Sequence, residues 1–166
     1  EAEDAGKLAG HADLLYAPAP EEMYKPGFAA SIEVGPVTKP LEGAFRPTHF
    51  AGVATVVAKL LNQCAPDVAL FGEKDYQQLL VIRHMVSDLD LPVAIVGAPI
   101  MREADGLALS SRNAYLSAEE RAKATTLNRV LRKAAEAVAK GGSIRQAEAK
   151  AEADLKAAGF EPVDYV

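Results

Sequence analysis

The residues of this chain best suited to chemistry fall in three short stretches. In FGEKDYQQ, residues 71–78, an apolar run ends on Gly72, and Glu73, Lys74 and Asp75 follow in a row before a helix. Facing only water, these charges would mean little. At the carboxyl end of a buried strand the same four residues would rim a ligand, and the amides of the following helix N-terminus would favour an anion. In GLALSSRN, 106–113, the run Leu109, Ser110, Ser111 and Arg112 offers two hydroxyls and a guanidinium. That set suits phosphate oxygens, because Arg supplies a charged fork and serine a short donor. A solvated loop with local Ser side-chain turns uses the same composition. In FRPTHFAGV, 45–53, Arg46 and His49 stand before a helix, where they suit a carboxylate or phosphate, or equally the capping and packing of a loop.

The elements that must position these stretches alternate between strand and helix. ADLLYAP (12–18) reads as a short strand ended by proline, PEEMYKPG (20–27) as a turn of helix and a loop, and ASIEVG (30–35) as a second short strand. Val53, Val56, Val57, Leu60, Leu61 and Cys64 then recur at helical spacing, a buried stripe ending near Pro66. On that stripe Cys64 reads as a core residue. DVALF (67–71) is an apolar strand, 75–90 a helix with Leu79, Ile82, Val86 and Leu89 on one face, and PVAIVG (92–97) a strand again. This βαβ unit predicts an α/β fold with an open parallel sheet covered on both faces, whose ligands bind beyond the strands' carboxyl ends. GEKD lies at such an end.

Beyond residue 100 the character changes. Asp105 and Gly106 make a turn, Ser117 with Glu120 forms a capping box, and an alanine-rich helix runs to KGG (140–142). A second helix opens on Ser143 with Gln146 as another capping box and ends at Gly159. The expected division is 1–100 and 101–166. The opening EAEDAGKLAG has helical composition without an N-cap, and the closing EPVDYV is strand-like with no turn after it, so both ends look cut from a longer polypeptide.

Bulk properties exclude several classes. A chain of 166 residues with 49% hydrophobic and 25% charged residues can bury a core. Its net charge of −5, with no runs of Lys or Arg, argues against binding nucleic acid through phosphate neutralisation. No apolar run approaches the roughly 20 residues of a membrane span. A single cysteine excludes an internal disulfide, and without a secretory signal the cytoplasm is the favoured location. His11, His49 and His84 are far apart; there is no metal-site spacing, no G-x-x-x-x-G-K-S/T loop and no G-x-G-x-x-G. His84 is expected at the helix surface.

LEGAFRPTHFAGVATVVAKLLN (41–62), FGEKDYQQLLVIRHMV (71–86) and READGLALSSRNAYL (102–116), taken in order, closely resemble successive blocks of the pantoate–β-alanine ligase family, the pantothenate synthetases. The resemblance covers nearly the whole chain. It implies a Rossmann-like domain of the nucleotidyltransferase superfamily, part of it missing here, followed by a small α+β lid-like domain, usually in a homodimer. It also implies a reaction in which pantoate and ATP, with Mg2+, form a pantoyl adenylate that β-alanine converts to pantothenate.

Position by position, Gly72, Glu73, Lys74 and Asp75 match the family's ATP-contacting turn, with Lys74 set near the α-phosphate, where charge builds in the transition state. Gln78, one helical turn on from Lys74 and Asp75, matches the pantoate contact. Met101 matches a backbone contact on the adenine side. Leu109, Ser110, Ser111 and Arg112 match a loop closing over the β and γ phosphates, and Arg46 and His49 a mobile loop at the site. The family's N-terminal block, with its H-x-G-H pair, has no counterpart in this sequence, so the expectation is half an active site with little turnover on its own. Another adenylate-forming nucleotidyltransferase and a non-catalytic nucleotide-binding or dimerisation module are the competing readings.

Overall fold

The computed structural model describes residues 2–166, with side chains described from residue 5 onward. Its first half is built on a parallel pair of strands, β1 (Val68–Gly72) and β2 (Ala94–Ala98), aligned from Val68 opposite Ala94 to Gly72 opposite Ala98. Helices α1 (Ala2–Leu8), α2 (Pro20–Met23), α3 (Glu42–Phe45) and α4 (His49–Cys64) precede β1. A single 3-10 turn, Glu73–Asp75, and helix α5 (Tyr76–Asp88) join β1 to β2. The chain is thus α/β, with the strand–helix–strand order that the apolar runs predict.

The core lies between α4, α5 and one face of the sheet. Phe50, Ala54, Val57, Ala58 and Leu61 of α4 meet Val81, Ile82, Met85 and Val86 of α5, with Ala69, Phe71 and Ile95 of the strands packed against them. Alanines and Thr55 widen the buried face of α4 beyond the valine and leucine stripe. That stripe gives out at Leu61: Cys64, in the last turn, is exposed rather than core, because no residue of the core cluster packs over that side of the helix end. Leu89 lies beyond the end of α5 and is exposed as well, and Met85 fills the core in its place. His84 is at the surface.

Several strand expectations are overturned, each for want of a ladder partner among the described residues. Residues 12–18 form no strand, and Leu14 stays 83% exposed. Residues 30–35 run against α4 instead of a strand. The Ile32 amide donates to Thr55 Oγ1 at 2.9 Å, while that hydroxyl donates to Ala51 O at 2.7 Å. Ile32 and Val34 alternate into the core, which is the strand-like pattern in the sequence, but a helix receives them. Residues 161–166 form no strand either; Val163 and Val166 pack on the terminal helices. The sheet is also covered on one face only, since Val68, Val96 and Leu70, the last 67% exposed, line the other.

The second half begins with a tight hairpin. The Leu109 amide donates to Met101 O at 2.9 Å and the Glu103 amide to Leu107 O at 2.8 Å, flanking an antiparallel bridge from Arg102 to Ala108. Gly106, with φ of +91°, makes the turn, and Asp105 Oδ1 accepts from the Leu107 amide. Helices α6 (Ala118–Ala139) and α7 (Ile144–Ala157) follow and pack together through Val130, Ala151 and Leu155. The Ser117–Glu120 capping box forms as expected. At Ser143 it does not: the serine occupies the N-cap position, but its side chain accepts no hydrogen bond.

Candidate active site

A cleft of about 590 Å³ opens where β1 gives way to α5. Its walls come from four separated segments. The first turn of α5 and the turn before it contribute Lys74, Asp75, Tyr76, Gln77 and Gln78; the α3–α4 region contributes Glu42, Arg46, His49 and Phe50. Ser110, Ser111 and Arg112 come from beyond the hairpin, and Tyr165 from the C-terminal tail. The three stretches singled out by residue type therefore meet at one opening, at the carboxyl end of a strand, as the topology of parallel sheets predicts.

The three consecutive charges after Gly72 part company. Glu73 folds back over the sheet: a Cβ built on Gly97 of β2 would stand 3.0 Å from Glu73 Oε1 and 3.2 Å from its Cγ. Lys74 and Asp75 are exposed at the cleft. Among the described residues Lys74 has no ion-pair partner, and the side chains of Gln78 and Arg112 make no hydrogen bond to protein, which leaves their donors to whatever enters the cleft.

Arg112 and the serines are held by local chemistry. Ser110 Oγ accepts from the Arg112 amide at 3.2 Å, fixing the entry to a 3-10 turn over Ser111–Tyr115. Asn113 Nδ2 donates to Ala108 O and to Glu103 Oε1. Arg121 of α6 reaches back to Glu103 Oε2 and Asp105 Oδ2, both at 2.7 Å, tying the hairpin to the helix. Donation from Arg121, then from Asn113, holds the Glu103 carboxyl below its ordinary value, and the Leu107 amide, then Arg121, lowers Asp105.

On the opposite wall Arg46 Nη1 donates to Glu42 Oε1 at 2.8 Å. The Tyr165 hydroxyl lies 3.4 Å from Glu42 Oε2, and its ring stands 6.0 Å from that of Phe45. Burial, reinforced by the Glu42 charge, pushes the Tyr165 hydroxyl up from its usual value. His49 opens α4 with its ring 5.1 Å from Phe50.

Gly72, Glu73, Met101 and Leu109 do not line this cleft. Met101 and Leu109 pair across the hairpin, where their side chains are exposed. Conversely, Glu42, Tyr76, Gln77 and Tyr165 line it without having been singled out from sequence. Tyr76 and Gln77 stood beside the motif residues; Glu42 and Tyr165 become neighbours only through the fold. No group of three or more His, Cys, Asp or Glu able to hold a metal ion occurs among the described residues, and no helix there is long and apolar enough to cross a membrane.

Comparison with known proteins gives this geometry a context. A pantothenate synthetase from Caulobacter vibrioides is 62% identical over 167 residues, an alignment covering all of this chain and 59% of the relative. The pantothenate synthetase structure from Thermus thermophilus superposes with a TM-score of 0.86 at 53% identity, over 95% of this chain and 58% of that one. The pantoate-beta-alanine ligase of Francisella tularensis, solved in complex with beta-gamma ATP and beta-alanine, matches at 37% identity with a TM-score of 0.73, over 79% of this chain and 51% of that one. The chain thus spans about 59% of the length of the curated relatives it matches. With the Pantoate-beta-alanine ligase family model matching residues 1–166 from end to end, the chain belongs to the pantoate-beta-alanine ligase family.

Proposed function

We propose that this chain supplies one side of the active site of a pantothenate synthetase, an ATP-dependent ligase that joins pantoate to β-alanine. A carboxylate oxygen of pantoate attacks the α-phosphorus of ATP, the bond to the β-phosphate bridging oxygen breaks, and pyrophosphate leaves. The β-alanine amine then attacks the acyl carbon of the pantoyl adenylate, loses a proton and expels AMP. The single observation that carries this reading is the convergence of Lys74, Gln78, Arg46, His49 and the Ser110–Arg112 loop on one cleft at a strand's carboxyl end.

The roles follow from charge and reach. Lys74, exposed and without an ion-pair partner among the described residues, stabilises negative charge building at the α-phosphate. Ser110, Ser111 and Arg112 take the outer phosphates, where a guanidinium fork with two hydroxyls matches the oxygen geometry. Gln78 hydrogen-bonds pantoate, and Arg46 and His49 serve a carboxylate or phosphate. The turn residues Gly72, Glu73 and Asp75 shape the nucleotide side, Met101 offers a backbone contact on the adenine side, and Leu109 stands with Ser110–Arg112 in the loop over the β and γ phosphates. Magnesium enters with the triphosphate as the substrate MgATP, which fits a cleft wall whose carboxylates, among the described residues, are Asp75 and an already engaged Glu42.

Residues 1–100 then act as part of a Rossmann-like nucleotide-binding domain and 101–166 as part of a lid, in a cytoplasmic homodimer. The sequence holds no H-x-G-H pair, so the chain alone should turn over little. The test is pyrophosphate release from ATP with pantoate and magnesium, comparing the 166-residue chain with the full-length enzyme that carries it. Release by the full-length enzyme alone is expected; release by neither refutes the assignment.

A further inference from the structure

Gln77 and Gln78 are adjacent and chemically identical, yet the fold gives them opposite circumstances. Among the described residues the Gln78 amide has no hydrogen-bond partner. The Gln77 amide is almost fully committed: Nε2 donates to Pro40 O at 2.8 Å and to Val37 O at 3.0 Å, and Oε1 accepts from the Glu42 amide at 3.2 Å. Both donors and one acceptor position of the side chain are thereby used, which leaves it nothing to donate to a ligand.

All three partners lie on one short segment, residues 36–45, which runs from a 3-10 turn over Pro36–Thr38 into α3, carries Glu42 and leads directly to Arg46. That segment is under strain. Leu41, flanked by two of the partner residues, sits at φ of 52°, a region costly for a residue with a Cβ, and such a conformation persists only where its surroundings impose it.

We propose that Gln77 is a positioning residue that holds the 36–45 segment in its strained form against α5, so that the Glu42–Arg46 pair stands at the cleft wall, an inference whose kinetic side rests on the function proposed above. The two glutamines of the motif thus divide their labour. Gln78 is free for the substrate, while Gln77 builds the wall that faces it.

The test uses the full-length enzyme with Gln77→Met, which keeps the side chain's length and removes its hydrogen bonds, and Gln77→Glu, which keeps the acceptor and loses both donations. Amide exchange read residue by residue should quicken at least tenfold at Glu42 and its neighbours in Gln77→Met, with Val81–Val86 of α5 unchanged; Gln77→Glu, which turns a carboxylate oxygen toward the Val37 and Pro40 carbonyls, should quicken it at least as much. In pyrophosphate release, kcat/KM should fall by about tenfold or more, and in a cycle with Arg46→Ala the double variant should be no worse than Arg46→Ala alone. A purely structural glutamine would give additive losses. Unchanged exchange at Glu42, or additive kinetic effects, overturns the proposal. Should the unsubstituted enzyme release no pyrophosphate, the functional reading fails, and the exchange experiment still decides whether Gln77 holds the segment.

Discussion

Replacing Gly43 with alanine should damage the site without touching any residue that faces a ligand. Gly43 is buried in α3, and a Cβ built on it stands 1.7 Å from the Thr38 carbonyl oxygen and 2.7 Å from the carbonyl carbon. Real Cβ contacts stop near 3.0 Å, so the oxygen must retreat by about 1.3 Å, the difference between 3.0 and 1.7. Both sides of this contact are backbone, and no rotamer change relieves it. The retreat has to be taken by the 36–45 segment, whose far side is hydrogen-bonded to Gln77.

Forcing an extra methyl into a packed site costs about 1–3 kcal/mol, and in a chain of this size each kcal/mol lowers the unfolding midpoint by roughly 2–4 °C. The functional loss should be larger than the stability loss suggests. A displacement of about 1 Å in a positioning element costs on the order of 100-fold in rate, and Glu42 and Arg46 ride on the displaced segment. The comparison is Gly52→Ala, on the exposed face of α4, where a Cβ meets nothing within 4 Å. There alanine should be neutral or stabilising by about 0.5–1 kcal/mol. The assay pairs thermal unfolding of each variant with kcat/KM for pyrophosphate release in the full-length enzyme. If Gly43→Ala kept wild-type kcat/KM, the segment would not be positioning anything, and the geometry of that cleft wall would have no bearing on turnover.

Lys74→Ala should lower adenylation by about 10²- to 10³-fold while changing stability by no more than about 0.5 kcal/mol, since the side chain is exposed and has no ion-pair partner among the described residues. An unchanged rate of pyrophosphate release would return FGEKDYQQ to an ordinary surface turn. The hairpin should be sensitive to acid: Glu103 and Asp105 are held below their ordinary values of 4.5 and 3.8, so the stabilisation they give is complete at neutral pH. It is lost as pH falls below those values through the lower folded ones. Amide exchange over residues 101–112 should therefore lose protection below about pH 4.5, and Arg121→Met should weaken that dependence, leaving the part that the Leu107 amide and Asn113 supply; an identical acid response in the variant would refute it.

The parts of the fold legible in the sequence are those whose pattern is local. The α4 stripe, the apolar run of β1 and the α5 face each declare themselves within one window of residues, and the structure forms all three. A strand is different, because its pattern states only that alternate residues are buried. Ile32 and Val34 are buried alternately against a helix, and Val163 and Val166 against a helical pair, so neither segment becomes a strand. Cys64 shares the stripe's spacing but lies outside the core cluster, on a side of the helix end that nothing apolar among the described residues covers.

At the site, residue type alone pointed to Lys74 and Arg112, whose side chains have no hydrogen-bond or ion-pair partner among the described residues, whereas Gln78 came only from the family resemblance. It could not separate Gln77 from Gln78, nor bring Tyr165 to Glu42 across 123 positions, because those facts are created by contacts distant in sequence. A helical-wheel reading of the first turn of α5 would have distinguished the two glutamines by the roughly 100° between successive residues.

The sorting of Glu73, Lys74 and Asp75 into one inward and two outward charges bears on how such a turn can change over time. Between the last paired residue of β1, Gly72, and the first residue of α5, Tyr76, lie three residues in a single 3-10 turn. Substitution at one of them alters one group. Insertion or deletion of a single residue ahead of Lys74 shifts the later side chains of the 3-10 turn by about a third of a turn, directing another side chain at Gly97 and carrying the lysine away from the opening. The length of the turn up to the lysine is therefore held more strictly than its composition, and a scan of single-residue insertions between 72 and 74 should tolerate none, while many single substitutions at Asp75 survive.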